Sequence, residues 1–451
     1  MSSGDSAIER NLTTLDDLLA RARRAGADAA DAVMAEATAI AHGRRMGRIE
    51  RLERSEDIDL GLRVLVGRRQ ACVATADTSR EALDDLVERA VAMARSVPED
   101  PYCGLADPDA LAREWPALDS DDPAEPATET LVERARACED AARAVEGVTN
   151  SEGADAAWSR ARMALAATNG FRGGYTVSKH TVGCAVLAGE GTAMERDYAV
   201  HSAVYGEDLE DPAAVGRRAG ERTVRRLNPR QPRTGGYPVV YHPRVANSLL
   251  RHLVGAISGP AVARGTSFLC ESMGERILPA GTHVIDDPHR PRGLKSKPFD
   301  AEGLPTTRRA LVDDGRLASW LLSLSSARQL GLDSTGHASR GTASPPSPSP
   351  TNLYLEPGTR SPEELMADIG EGFYVTELMG QGVNAVTGDY SRGAAGFWIE
   401  NGKITHPVSE LTLAGNLLSM FQQLTPANDL EFRFGVDAPT VRVDGMTLAG
   451  S

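Results

Sequence analysis

The chain has only five cysteines, Cys72, Cys103, Cys138, Cys184 and Cys270, scattered and odd in number. No two form a CxxC pair, which excludes a disulfide framework and points to a reducing, cytoplasmic setting. Positive charge is also scarce. The 49 Lys and Arg residues face 63 Asp and Glu, a formal net charge of −14. That balance excludes a general nucleic-acid binder, which would present a basic surface. No apolar run approaches the ~18 residues of a membrane span, and no apolar segment follows Met1. Glycines recur between Asp368 and Lys403, yet they build neither GxGxxG nor GxxxxGKS/T. Ser391, in GDYSRG, lacks the flanks of a GxSxG nucleophile elbow.

What is present is a folded chain of 451 residues, 41% hydrophobic and 25% charged, long enough for two or three domains. A helix is predicted from Thr14 to Gly26. Ile58, Leu60, Leu62, Val64 and Val66 alternate and give one face of a strand to a core. Thr78 and Glu81 read as a capping box for a helix from Ser79 to about Ser96, with Leu83, Leu86, Val87, Ala90, Val91 and Ala94 as its apolar stripe. The acidic, Pro/Ala-rich stretch from Pro98 to Ala127 reads as a surface excursion. A further helix is predicted from Glu129 to Glu146, then strands from Ala156 to Tyr205 with a turn at Asn169-Gly170. Asp211 and Pro212 are the N-cap and first residue of a helix rich in arginine. Arg217, Arg218, Arg222, Arg225, Arg226, Arg230 and Arg233 read there as a solvated face, with docking of an acidic partner as the second reading.

Composition shifts after Pro229, and a domain boundary is placed near Gly235. The strand Tyr237–Tyr241 passes through Pro243 into a helix ending near Ser258, and the rest is mostly β. Asn401-Gly402 signals a type I′ hairpin. Gly393 and Gly396 are expected where a side chain would collide with neighbouring backbone or force a forbidden φ. The expected fold is α+β. Residues 1–234 form helices on a long twisted sheet, and residues 235–451 form a mainly antiparallel β domain with a few helices.

Four blocks in order then carry a resemblance: LLRHLVGAISGPAVARGTSFLCESMGE (249–275), DDPHRPRGLKSKPFDAEGLPT (286–306), TGDYSRGAAGFWIENGKITHPVSELTLAGNL (387–417) and VDAPTVRVDGMTLAG (436–450). Together they resemble the TldD/PmbA family, once named modulators of DNA gyrase, in its PmbA (TldE) branch. The resemblance implies a cytosolic heterodimer with a TldD-like catalytic subunit that degrades or trims unstructured peptides. It also implies that the partner carries a zinc helix of pattern His-Glu-x-x-x-His and a distant ligand near its C-terminus. Here those positions read Arg251-His252-Leu253-Val254-Gly255-Ala256, and no cysteine follows Cys270. The two ligand positions, Arg251 and Ala256, and the general-base position, His252, have lost their chemistry. The expectation is therefore no zinc in this chain, zinc in the partner, and no catalytic residue here.

Other chemistry is weaker. His252 falls on the apolar face of its helix with Val245, Leu249 and Leu253 and reads as a packed histidine. Cys270 with His252 or His283 has no spacing that supports a Cys–His nucleophile, and Cys270 reads as a small hydrophobe. His283, Asp286, Asp287 and His289 read as structural, since Pro288 breaks any helix that could align them. Asp389, Tyr390, Ser391 and Arg392 are the candidates for contact with a peptide or partner, by resemblance and loop position. The leading expectation is a non-catalytic partner subunit, with capture of extended peptides by strand addition. The alternatives are a protein-binding scaffold or regulator without proteolysis, and an unrecognised hydrolase.

Overall fold

The computed structural model describes residues 3–450, and side chains from Ser6 onward. Its first half is one antiparallel six-stranded sheet. Strands β1 (Ala29–Arg45), β2 (Arg48–Val66), β3 (Arg69–Thr75), β4 (Val148–Ala167), β5 (Arg172–Ala188) and β6 (Glu195–Ala203) lie in the order β3-β2-β1-β4-β5-β6. Helices α1 (Ser3–Arg24), α2 (Arg80–Ser96), α3 (Thr128–Arg143) and α4 (Pro212–Arg225) cover it. Four strands run 17 to 20 residues, longer than the helices above them. The expected alternation on β2 is therefore only partly buried. Leu60, Leu62 and Val64 are fully buried, whereas Ile58, like Ile49 and Leu52, is exposed where the sheet outruns its cover.

Several predicted boundaries shift for local reasons. Thr14 does not open α1; the Thr13 and Thr14 hydroxyls donate back to the carbonyls of Glu9 and Arg10, the habit of threonine inside a helix. The cap of α2 is Ser79, whose Oγ accepts the Ala82 N–H at 3.3 Å, so no Thr78–Glu81 box forms; all six expected stripe residues are buried. Helix α3 ends at Arg143, short of Glu146. Asp211 caps α4 through the N–H groups of Ala213 and Ala214, with Pro212 first in the helix, as the sequence reads. Residues 98–127 are more than a surface excursion. Ala106, Leu111 and Ala112 pack with Phe171 and Phe299, and buried Asp122 bonds His180 at 3.0 Å. Apolar residues spaced singly between prolines supplied no periodicity to reveal this.

The second half holds the largest apolar core. After β7 (Gly235–Tyr241) comes α5 (Pro243–Ala256). Strands β8 (Val284–Asp287), β9 (Arg309–Asp313) and β10 (Arg316–Leu317) follow, then the short pair β11 (Ala338–Ser339) and β12 (Ser347–Pro348), then β13 (Asn352–Leu355). The long strands are β14 (Glu371–Val383), β15 (Asp389–Glu400) and β16 (Lys403–Asn416), and the chain closes with β17 (Leu424–Pro426), β18 (Val436–Asp437) and β19 (Val441–Ala449). One sheet runs β10-β9-β8-β13-β18. The other runs β16-β15-β14-β7-β19-β17, and a further β16–β19 pairing closes its first five strands into a barrel. Pairing is antiparallel except β14–β7 and β13–β18, each joined through long intervening chain as parallel neighbours require. Asn401 and Gly402 both take positive φ, 49° and 77°, at the β15–β16 turn.

A buried ion cluster ties the halves together. Asp31 on β1 accepts from Arg63 on β2 and from Arg340 in the second half, and all three side chains are almost fully buried. Among the described residues no helix is long and apolar enough to cross a membrane.

Candidate functional site

Helix α5 presents its two faces differently. Leu249, Leu250, Leu253 and Ala256 are buried in the core, which is why the helix docks there. Pro243, Asn247 and Arg251, four residues apart and so stacked one turn above another, line a cavity of about 510 Å³. Its other walls come from β6, α4 and the 429–440 segment, including Tyr198, Arg222 and Arg433. Of the three positions that the resemblance aligns with the zinc helix, Arg251 faces this cavity, His252 is half-buried and Ala256 is buried.

Only His252 of the three offers a lone pair to a metal. A guanidinium has none and repels a dication, and a methyl group has none. The residues present do not fit a zinc site. Among the described residues no group of three His, Cys, Asp or Glu side chains could hold a metal ion.

His252 packs edge-to-face on Tyr390, ring centroids 5.8 Å apart and planes at 83°. Its Nε2 is buried without a hydrogen-bond partner. Burial, then the nearby Arg392 charge, lowers its pKa below the usual histidine range, so the ring is neutral. The fold therefore gathers His252, Tyr390 and Arg392, chosen from blocks 140 residues apart in sequence. It also separates the four 389–392 candidates. They stand on β15, not in a polar loop, and strand alternation decides which are accessible. Asp389 and Ser391 are exposed, with Asp389 accepting the Thr387 hydroxyl at 2.6 Å. Tyr390 is 1% exposed and is not presented to a partner, a correction to its candidacy. Arg392 is half-buried, its Nε donating to the Met379 carbonyl at 3.1 Å.

Cys270 packs half-buried against the core, and no hydrogen bond joins it to His252 or His283; His283 Nδ1 instead bonds Asp313 at 2.9 Å. Asp286 is buried and accepts the Thr351 N–H and hydroxyl at 2.7 and 2.6 Å, a structural role. The arginine helix departs from the solvated face expected of it. Arg226 is 9% exposed and pairs with Glu195, Asp197 and Glu377, and Arg222 turns inward to the cavity. Arg218, Arg222 and Arg226 lie one turn apart along one side of the helix, a row whose burial only the folded chain decides, and Arg218 and Arg222 both line the cavity.

Comparison with known proteins agrees with this architecture. Residues 234–450 match the PmbA/TldA metallopeptidase C-terminal domain, residues 121–227 its central domain and residues 43–94 its domain 1. Metalloprotease PmbA of Escherichia coli O157:H7 is 40% identical over 425 residues, covering 94% of this chain and 92% of that protein. A PmbA homologue of Haemophilus influenzae is 35% identical over 433 residues, covering 95% and 94%. The crystal structure of a proposed DNA gyrase modulator from Bacteroides thetaiotaomicron superposes with a TM-score of 0.90 at 27% identity, over 98% of this chain and 99% of that one. TldE from Thermococcus kodakarensis shares the fold, with a TM-score of 0.86 at 19% identity over 97% and 100%. With all three domain types matched in order and relatives aligned over nearly the whole length, the chain belongs to the PmbA/TldD family.

Proposed function

We propose that this chain is the non-catalytic subunit of a cytoplasmic PmbA/TldD-type metalloprotease. Its partner would be a zinc-bearing TldD-like chain, and the heterodimer would degrade or trim unstructured peptides. One observation carries the reading. The resemblance aligns helix α5 with the zinc helix of the TldD branch, and here α5 presents a guanidinium at Arg251, a packed imidazole at His252 and a buried methyl at Ala256. The curated relatives bear the name metalloprotease, so the family chemistry needs a metal that these side chains cannot hold. Zinc in the partner would supply the Lewis acid and lower the pKa of a bound water.

The role left to this chain is to shape the peptide passage. Exposed Asp389 and Ser391, with Arg392 beside them, offer polar contacts to a peptide or to the partner. Extended peptides add to β edges through main-chain hydrogen bonds without demanding sequence, which suits a β-rich subunit.

Reconstitution tests the reading. Alone, the purified chain is expected to carry no stoichiometric zinc by elemental analysis and to leave casein-like unstructured peptides intact. Mixed with its TldD-like partner it should give chelator-sensitive cleavage, lost when the Glu of the partner's zinc helix is changed and kept in Cys270→Ala. Cleavage by this chain alone that survives chelator and disappears in Cys270→Ala would replace the proposal with a cysteine hydrolase. Stable binding to the partner without any cleavage would favour a scaffold.

A further inference from the structure

A second cavity, of about 310 Å³, adjoins the larger one, and Arg218, Arg222, His242, Arg244 and Tyr374 line both. Most charges there already have partners. Arg244 holds Asp197 through two bonds of 2.6 and 3.0 Å. Glu210 bridges Arg218 and Arg433 at 2.6 and 2.7 Å. Asp429 is taken up by the Thr440 N–H and hydroxyl, and Asp437 by the N–H groups of Arg433, Phe434 and Gly435. The rim carboxylates Glu221 and Glu363 are exposed and form no ion pair with Arg222. Arg222 differs from the exposed Arg225 and Arg251, which also lack an ion pair. It is partly buried between the two cavities, and among the described residues it makes a 3.5 Å hydrogen bond to the Tyr198 carbonyl and has no carboxylate within ion-pair distance.

We propose that Arg222 anchors an anion-binding subsite at the junction of the two halves, taking the carboxylate or phosphate of a small ligand that enters through the larger cavity. A guanidinium presents a planar fork that matches both groups bidentately, and its charge is costly to leave unpaired away from water. The cavities fall within the ~300–1,000 Å³ of small-ligand sites. The surroundings favour an anion over a neutral guest. Burial lowers Arg222 to about 10, and the Arg244 charge adds to that, yet it remains cationic at neutral pH. His242 is kept neutral, its Nδ1 accepting the Arg244 N–H at 3.0 Å, so it adds no competing charge. The site lies on the cavity face of α5, opposite its core face, and stands independently of any role in proteolysis.

The test uses the full chain alone, with three probes: N-acetyl-trialanine bearing a free carboxylate, the same peptide as its C-terminal amide, and inorganic phosphate. Isothermal titration and thermal shift are read for wild type, Arg222→Gln and Arg222→Lys. The free-acid peptide or phosphate should bind wild type, and whichever binds identifies the carboxylate or the phosphate as the group taken. Arg222→Gln should weaken that binding at least ~10-fold, while Arg222→Lys, which keeps the charge, should retain part of it; the amide should bind no better to wild type than to Arg222→Gln. Without ligand, Arg222→Gln should melt at or above wild type, because a partly buried charge with no ion-pair partner has gone. Absence of binding by both anions, equal binding to Arg222→Gln, or a ligand-free melting loss in that variant would overturn the proposal.

Discussion

Gly396 is the position where one added carbon should cost most. It is buried in the middle of β15, paired with Val375 on β14 and Val408 on β16, next to register shifts on both sides. A Cβ built there would lie 2.0 Å from the Tyr374 carbonyl oxygen and 3.0 Å from both its carbon and the Val375 Cα. The obstruction is backbone inside a closed barrel, so no side chain can rotate away, and β14 would have to move by more than an ångström. Overpacking ordinarily costs ~1–3 kcal/mol, and a rigid obstruction places Gly396→Ala at the upper end, about 3 kcal/mol. For a cooperative unit of this size that corresponds to a melting loss of roughly 6–12 °C. Gly393, three residues earlier, is the internal control and corrects the sequence expectation that both glycines collide. Its Cβ would meet the Met379 Cβ at 3.4 Å, ordinary contact, so Gly393→Ala should stay within ~0.5 kcal/mol. Thermal melts of the two variants by near-UV circular dichroism decide the matter. A Gly396→Ala protein that melts with wild type, or a Gly393→Ala protein that falls as far, would refute the close-approach argument.

Asp31→Asn removes the anion from between Arg63 and Arg340 and should destabilise by ~3–5 kcal/mol in urea unfolding, because two buried guanidiniums lose their counter-charge. Burial raises the Asp31 pKa, but Arg63 and Arg340 outweigh it and hold the group below its ordinary value. Its contribution should therefore be present above about pH 4 and lost as pH falls through the depressed folded value, a slope that Asp31→Asn should lack. His242 is lowered to about 3 by burial and by Arg222 and Arg244. The unfolded chain takes up that proton first, so stability should decline as pH falls from about 6.5 toward 3, and His242→Asn should flatten that decline in chemical-denaturation series. Arg251→His and Ala256→His together with His252→Glu would restore the ligand and base types of the zinc helix. Zinc uptake should remain weak by competition with a chromogenic chelator, since no cysteine follows Cys270 to complete the set.

Local pattern fixed what local physics decides. The stripe of α2, the cap of α4 at Asp211-Pro212, the hairpin at Asn401-Gly402 and the division into helices over a long sheet followed by a β-rich half were legible because each depends on residues within one or two turns of each other. Order along the chain also carried the family. Tertiary structure decided everything that depends on what lies across from a residue. It put Tyr390 in the core beside His252, packed Ala106, Leu111 and Ala112 of the 98–127 segment against Phe299, left Ile58 exposed, and distinguished Gly396 from Gly393 by a carbonyl contributed from another strand. It also turned Arg222 inward from a run of arginines that looked uniformly solvated. The charge of a guanidinium is written in the sequence, but whether a carboxylate reaches it is set by chain segments that meet only in the folded molecule.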